Sequence, residues 1–103
     1  MQTGAEVAYW VYILSNKRHT VLYVGVTNDL VERLWDHRYG PPSLHRFTSR
    51  YNVTELVHYE QFGSIVEAIA REKQIKSWSR AKKEKLITEH NPTWVDLSKE
   101  FEV

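Results

Sequence analysis

At 103 residues the chain has room for one modest hydrophobic core and not two, so any site is expected on a single scaffold spanning 1–103. A 42% hydrophobic share with 26% charged residues excludes a disordered polar chain, and the absence of cysteine excludes a disulfide framework, a thiolate zinc site and a cysteine nucleophile. A formal net charge of +1 decides little about nucleic acid, and the lack of an apolar run near ~20 residues or of a leader at Met1 predicts a soluble, cytoplasmic protein with no membrane partner.

Tyr9 to Leu14 is rich in aromatic and β-branched residues, Ser15 to Thr20 has turn composition, and Val21 to Val26 resumes the strand pattern. This predicts a β-hairpin with Trp10, Tyr12 and Leu14 on one face and Tyr23 sharing a face with Gly25. Which faces coincide depends on register, which composition does not set. Sheet packing is the ordinary reading of both tyrosines; chemistry is the other.

Thr27-Asn28 offers a helix cap, and Leu30, Val31, Leu34 and Trp35 are spaced as one apolar stripe from Asp29 to Arg38. Arg33 and His37, four apart, lie together at its border: surface decoration, or a cation and a titratable ring projecting from the sheet–helix rim. Gly40-Pro41-Pro42 ends the helix, and Ser43 to Asn52, with Leu44, His45, Arg46, Phe47, Arg50 and Tyr51, is predicted to be loop. Val53 to Phe62 returns to strand character.

Ser64 with Glu67 forms a capping box, so a helix is predicted from Ile65 to about Trp78. At ~100° per residue, Glu72 falls in the middle of the stripe made by Ile65, Ala68, Ile69 and Ile75. A carboxylate there must be paired, protonated or bound to a metal, with Lys76 and Arg71 the available ion-pair partners. Ser79 opens a second helix to about Glu89, Asn91-Pro92 turns the chain, and Trp94 to Leu97 is expected to pack back. Between Arg71 and Lys85, seven basic residues face only Glu72 and Glu84, which is a solvated helix face or a positive edge for a polyanion. The order is ββαβαα: an α+β domain with a small three-stranded antiparallel sheet flanked by helices.

Several chemistries lack their parts. No glycine-rich phosphate loop, nucleophile elbow or dense histidine spacing occurs, the remaining histidines His19, His45, His58 and His90 being scattered. Two hairpin tyrosines, an Arg/His pair, one misplaced carboxylate and a basic edge remain, and those parts suit phosphodiester cleavage.

Trp10-Val11-Tyr12 and Tyr23-Val24-Gly25, followed by Arg33-Leu34-Trp35-Asp36-His37 and Arg71-Glu72-Lys73-Gln74-Ile75-Lys76, resemble in order and spacing the GIY-YIG nucleases. The segments Phe47 to Asn52 and Asn91 to Leu97 look most like small standalone bacterial members, and the likeness covers about Tyr9 to Leu97. The resemblance implies a divalent-metal-dependent endonuclease acting on DNA, in repair or recombination, with one Mg²⁺ or Mn²⁺ on Glu72. It implies that Arg33 stabilises phosphate charge, that Tyr12 acts as general base or positions one, and that Tyr23 hydrogen-bonds phosphate or water. His37 would assist proton transfer or bind phosphate, Gly25 would permit close packing, and Asn91 would support the site. With an ordinary pKa of ~10, Tyr12 needs the metal, Arg33 or His37 to act as a base near neutrality.

Trp10 stands where the name motif has glycine, and is expected to narrow or line the cleft. Members often carry separate DNA-binding domains, for which this chain has no room. Grip is therefore expected from Arg46, Arg50, Lys76, Arg80, Lys82 and Lys83, or from a protein partner. RNA is a second candidate polymer. The competing readings are a non-catalytic nucleic-acid-binding module and a purely structural domain.

Overall fold

The computed structural model describes residues 7–41, 48 and 50–103. Three strands, β1 (Tyr9–Ser15), β2 (Leu22–Thr27) and β3 (Glu55–Phe62), pair antiparallel in the order β2-β1-β3. Helix α1 (Leu30–Tyr39) follows the hairpin, α2 (Ile65–Ser77) and α3 (Arg80–His90) follow β3, and a 3-10 helix (Leu97–Phe101) closes the chain. This is the expected α+β arrangement with its ββαβαα order.

Register, which the sequence left open, places the key residues. Tyr12 lies opposite Gly25 on β2 and opposite Tyr59 on β3, while Leu14 lies opposite Tyr23. Residues directly opposed across a ladder share a face. Tyr12, Leu14 and Tyr23 therefore belong to one face, packed with Leu30 and Leu34 of α1 and with Leu97 and Phe101 of the 3-10 helix. Val11, Ile13 and Val24 point the other way, against Ala68 and Ile75 of α2 and Leu86 and Ile87 of α3. The sheet is thus the middle of three layers, and both of its faces are apolar because both are covered.

Each helix start has a visible cause. Asp29, not Thr27 or Asn28, caps α1 by accepting from Glu32 N at 3.0 Å, with Thr27 Oγ1 accepting from Asp29 N. Ser64 accepts from Glu67 N at α2, and Ser79 from Lys82 N at α3. Helix α1 ends at Gly40, whose N–H reaches Asp36 O at 2.8 Å; a Cβ there would meet that same oxygen at 2.5 Å.

Two helical faces differ from expectation. On α1 the buried residues are Leu30, Leu34 and His37, whereas Val31 and Trp35 are exposed. On α2, Ala68 and Ile75 are buried but Ile65 and Ile69 are exposed, while Arg71 reaches Glu60 of β3 and Glu72 pairs with Lys76 one turn on. The segment Ser43 to Asn52 also departs from a plain loop: Thr48 and Arg50 are helical, Tyr51 and Asn52 form a turn, and Val53 N donates to Thr48 O at 2.8 Å. Leu44, His45, Arg46 and Phe47 lie outside the described residues.

The C-terminal tail is fastened by polar brackets. Asp96 accepts from Leu56 N at 3.0 Å and from Arg38 at 2.9 Å, and Arg38 also donates to Thr54 O. Asn91 is buried, donating to Val57 O and Val95 O and accepting from Val95 N. The aromatic set of Trp10, Tyr59 and Phe101, with ring centroids 5.1 to 5.9 Å apart, then seals the tail onto the sheet. Trp10 is accordingly held by packing against β3 and the 3-10 helix.

Candidate active site

Tyr12 is the centre of the site. The β1 pleat points its side chain toward α1, and only 1% of the residue is exposed. Its ring crosses above Gly25, so closely that a Cβ on that glycine would lie 2.5 Å from the phenol oxygen. Helix α1 supplies the next groups. His37, one turn beyond Arg33, has its Nε2 3.3 Å from Tyr12 Oη and its Nδ1 2.9 Å from Thr48 Oγ1. The Arg33 guanidinium is close enough for its charge to act on the Tyr12 hydroxyl. Tyr23 completes this wall, its ring 6.3 Å from Tyr12 and 5.6 Å from His37.

Glu72 enters from α2, and its carboxylate is within electrostatic reach of the Tyr12 hydroxyl. Its side chain is 14% exposed, and Oε2 pairs with Lys76 Nζ at 3.0 Å. The expected ion pair with Lys76 therefore exists, but the carboxylate is half-buried instead of sealed in the core. Arg71 is committed elsewhere, to a bidentate contact with Glu60 at 2.8 and 3.1 Å.

The environment decides the protonation of Tyr12. Burial pushes its pKa well above the ordinary phenol range, and the nearby Tyr23 and Glu72 push the same way, while the charge of Arg33 pulls it down without prevailing. Tyr12 is a neutral phenol near pH 7. As a base it must pass its own proton on, and the acceptor within reach is His37 Nε2.

Tyr12, Tyr23, Arg33, His37 and Glu72 are thus brought together from β1, β2, α1 and α2. Gly25 supplies the space beneath the ring, whereas Asn91 braces β3 and the tail and touches none of them directly. The basic residues are distributed. Arg50 stacks over Tyr51, and Lys82 lies 4.4 Å over the Trp78 ring, which also carries Arg71 at 5.1 Å. Arg80 braces the hairpin turn through His19 O and Thr20 O and pairs with Glu84. Lys76 is half exposed beside Glu72, and Lys83 is half-buried on α3. Arg46 lies outside the described residues. Sequence reasoning missed Thr48, because a threonine in a polar segment carries no pattern that points to a histidine eleven residues earlier.

A sequence model described as the GIY-YIG catalytic domain matches residues 8–85, which hold all five of these side chains. The chain belongs to the GIY-YIG family. GIY-YIG proteins are a nuclease family, and the relatives are of this chain's own size. A UPF0213 protein of Natronomonas pharaonis is 41% identical over 81 residues, covering 79% of this chain and 92% of the relative. One of Staphylococcus saprophyticus is 36% identical over 81 residues, covering 79% and 95%. The solution NMR structure of a UPF0213 protein from Bacillus halodurans is 30% identical, covers 89% of this chain and 95% of that one, and superposes with a TM-score of 0.56. The GIY-YIG fold is shared, so the three-layer arrangement around Tyr12 belongs to a known architecture. Among the described residues no helix is long and apolar enough to cross a membrane.

Proposed function

We propose that the chain is a metal-dependent endonuclease that hydrolyses DNA phosphodiester bonds by in-line attack of water, with one Mg²⁺ or Mn²⁺ on Glu72. The observation that carries this reading is His37 Nε2 at 3.3 Å from the buried Tyr12 hydroxyl, with the charges of Arg33 and Glu72 near enough to act on it. Packing alone gives no reason to gather a cation, an imidazole and a carboxylate around one phenol, since burying such groups is unfavourable unless each is satisfied.

The donor set suits a hard, hydrated cation. Among the described residues no three His, Cys, Asp or Glu side chains are grouped to share a metal. One carboxylate, with the rest of the shell from water and substrate oxygens, is the habit of Mg²⁺. Bound there, the ion would stabilise charge on the phosphoryl oxygens. Arg33 supplies a fixed positive charge for the same oxygens, Tyr23 a hydroxyl for phosphate or water, and Tyr12 with His37 a route for the water's proton. Grip on the polymer falls to Arg46, Arg50, Lys76, Arg80, Lys82 and Lys83 at the positive edge, or to a protein partner that supplies specificity.

The second reading, a non-catalytic nucleic-acid-binding module, draws on the Lys76–Glu72 ion pair, which neutralises the one carboxylate that would repel phosphate. One experiment separates the two. Purified chain with Mg²⁺ or Mn²⁺ is offered branched, flapped, single-stranded and duplex DNA, the substrates of repair and recombination first, with RNA alongside. Cleavage abolished by Glu72→Ala and by Arg33→Ala is the expected result. Salt-sensitive binding without cleavage across the whole panel would assign the chain to the binding class.

A further inference from the structure

We propose that Thr48 is a positioning residue that holds His37 in its Nδ1–H tautomer, leaving Nε2 bare to receive the Tyr12 proton. This rests on the hydrolytic reading above. The direction of each hydrogen bond follows from what each group can do. Arg33 has donors only, so toward the Tyr12 oxygen it can act as a donor and never as an acceptor of the phenol proton. The phenol keeps one proton of its own, and His37 Nε2 lies 3.3 Å away to accept it. A neutral imidazole with a bare Nε2 carries its proton on Nδ1, which faces Thr48 Oγ1 at 2.9 Å. The opposite orientation would make His37 Nε2 a donor toward the Tyr12 oxygen and leave it unable to take a proton.

Thr48 is built to hold that orientation. It is 1% exposed, and its carbonyl is pinned by Val53 N at 2.8 Å, so the hydroxyl is carried on fixed backbone. Among the described residues, Tyr12 from β1 and Tyr23 from β2 face the His37 ring, and Thr48 meets its Nδ1. In the hydrolytic step the Tyr12 O–H bond breaks toward His37 Nε2 while Tyr12 takes a proton from the attacking water. The water oxygen bonds to phosphorus and the P–O bond to the leaving oxygen breaks. The imidazolium releases its proton to solvent and the leaving oxygen takes one from solvent, so charge and atoms balance. Thr48 never touches the reacting atoms; it decides which face of the imidazole is a base.

Ring nitrogen NMR on ¹⁵N-histidine-labelled full chain tests this directly. The wild type and Thr48→Ser are expected to show neutral His37 protonated at Nδ1, and Thr48→Val a population shifted toward Nε2–H. Turnover of Thr48→Val should fall about 10- to 100-fold at unchanged KM, with the serine variant near wild type. An Nε2–H tautomer in the wild type overturns the proposal, as does a folded valine variant with the wild-type tautomer. Should the valine variant not fold, the wild-type and serine spectra decide alone. Wild-type chain that cuts nothing defeats the hydrolytic reading, whereas the tautomer is read without substrate, so the two failures are distinguishable.

Discussion

The Tyr12 ring occupies the place where a Gly25 side chain would be: an added Cβ would lie 2.5 Å from both Cζ and Oη. None of the described glycines has positive φ, so this one is required by contact and not by backbone conformation. Gly25→Ala must therefore displace the phenol, which is held by 0 to 3% exposed neighbours such as Leu14, Leu30 and Leu34. The variant should lose about 1–3 kcal/mol of stability by overpacking. It should also lose most of its activity as Oη leaves His37 and Arg33. Denaturant unfolding and cleavage assays check both, and a fully active, undestabilised alanine variant would show that the ring is free to move.

Periodicity carried part of this arrangement, and the family likeness carried the choice of residues. The 3.6-residue repeat brought Glu72 toward the protein, and the period of two put Tyr12 on the face it occupies. What failed was the width of the faces. Ile69 and Ile65 look like core on a wheel, yet three strands make a narrow sheet, and both isoleucines stay exposed among the described residues. On α1 the same wheel favoured Trp35 over His37, because it ranks side chains by hydrophobicity and does not see that Tyr12 and Thr48 satisfy both imidazole nitrogens. Thr48 was invisible for the same reason: its partner is chosen by tertiary contact.

Tyr12 is expected to be among the last tyrosines of the chain to ionise. Burial is the main cause, reinforced by Tyr23 and Glu72 and only partly offset by Arg33, so its phenolate should be absent at pH values near the ordinary phenol pKa of ~10. Ultraviolet titration of wild type and Tyr12→Phe gives a difference spectrum for this one group. Arg33→Ala should raise the transition further, since it removes the stabilising charge. A Tyr12 phenolate detected near neutral pH would instead make the tyrosine a base without help from His37.

Acid should weaken the fold through Glu60. Burial alone would raise this carboxyl, but hydrogen bonds from His58 and Arg71 and the charge of Arg71 outweigh it and hold the pKa at about 2 against an ordinary 4.5. The folded state therefore favours the carboxylate. Its stabilisation is complete above the unfolded pKa and is lost as pH falls from there through about 2. After allowance for screening of the partly exposed pair, the loss is on the order of 1–2 kcal/mol. Glu60→Gln should be less stable than wild type at pH 7 and should flatten this part of the acid-unfolding profile. Asp96, held down against the effect of burial by its bonds from Ser98, Leu56 and Arg38, contributes in the same direction and remains in the variant.

On the hydrolytic reading, Lys76 and a divalent cation would compete for one carboxylate. With Nζ 3.0 Å from Glu72 Oε2, the ammonium stands where an ion would draw charge, and its half-exposed stem lets it swing away. Lys76→Met removes the competitor and keeps the length of the stem. Binding of Mn²⁺ to the DNA-free chain, followed by electron paramagnetic resonance, should tighten about 2- to 5-fold, the scale of a partly exposed ion pair. Thermal stability should change by less than about 1 kcal/mol for the same reason. DNA binding should weaken and its salt slope fall by about one, since one phosphate contact is lost. Unaltered Mn²⁺ binding in Lys76→Met, with binding retained in Glu72→Gln, would place the ion on another group and return Glu72 to the role of an ion-paired helix residue.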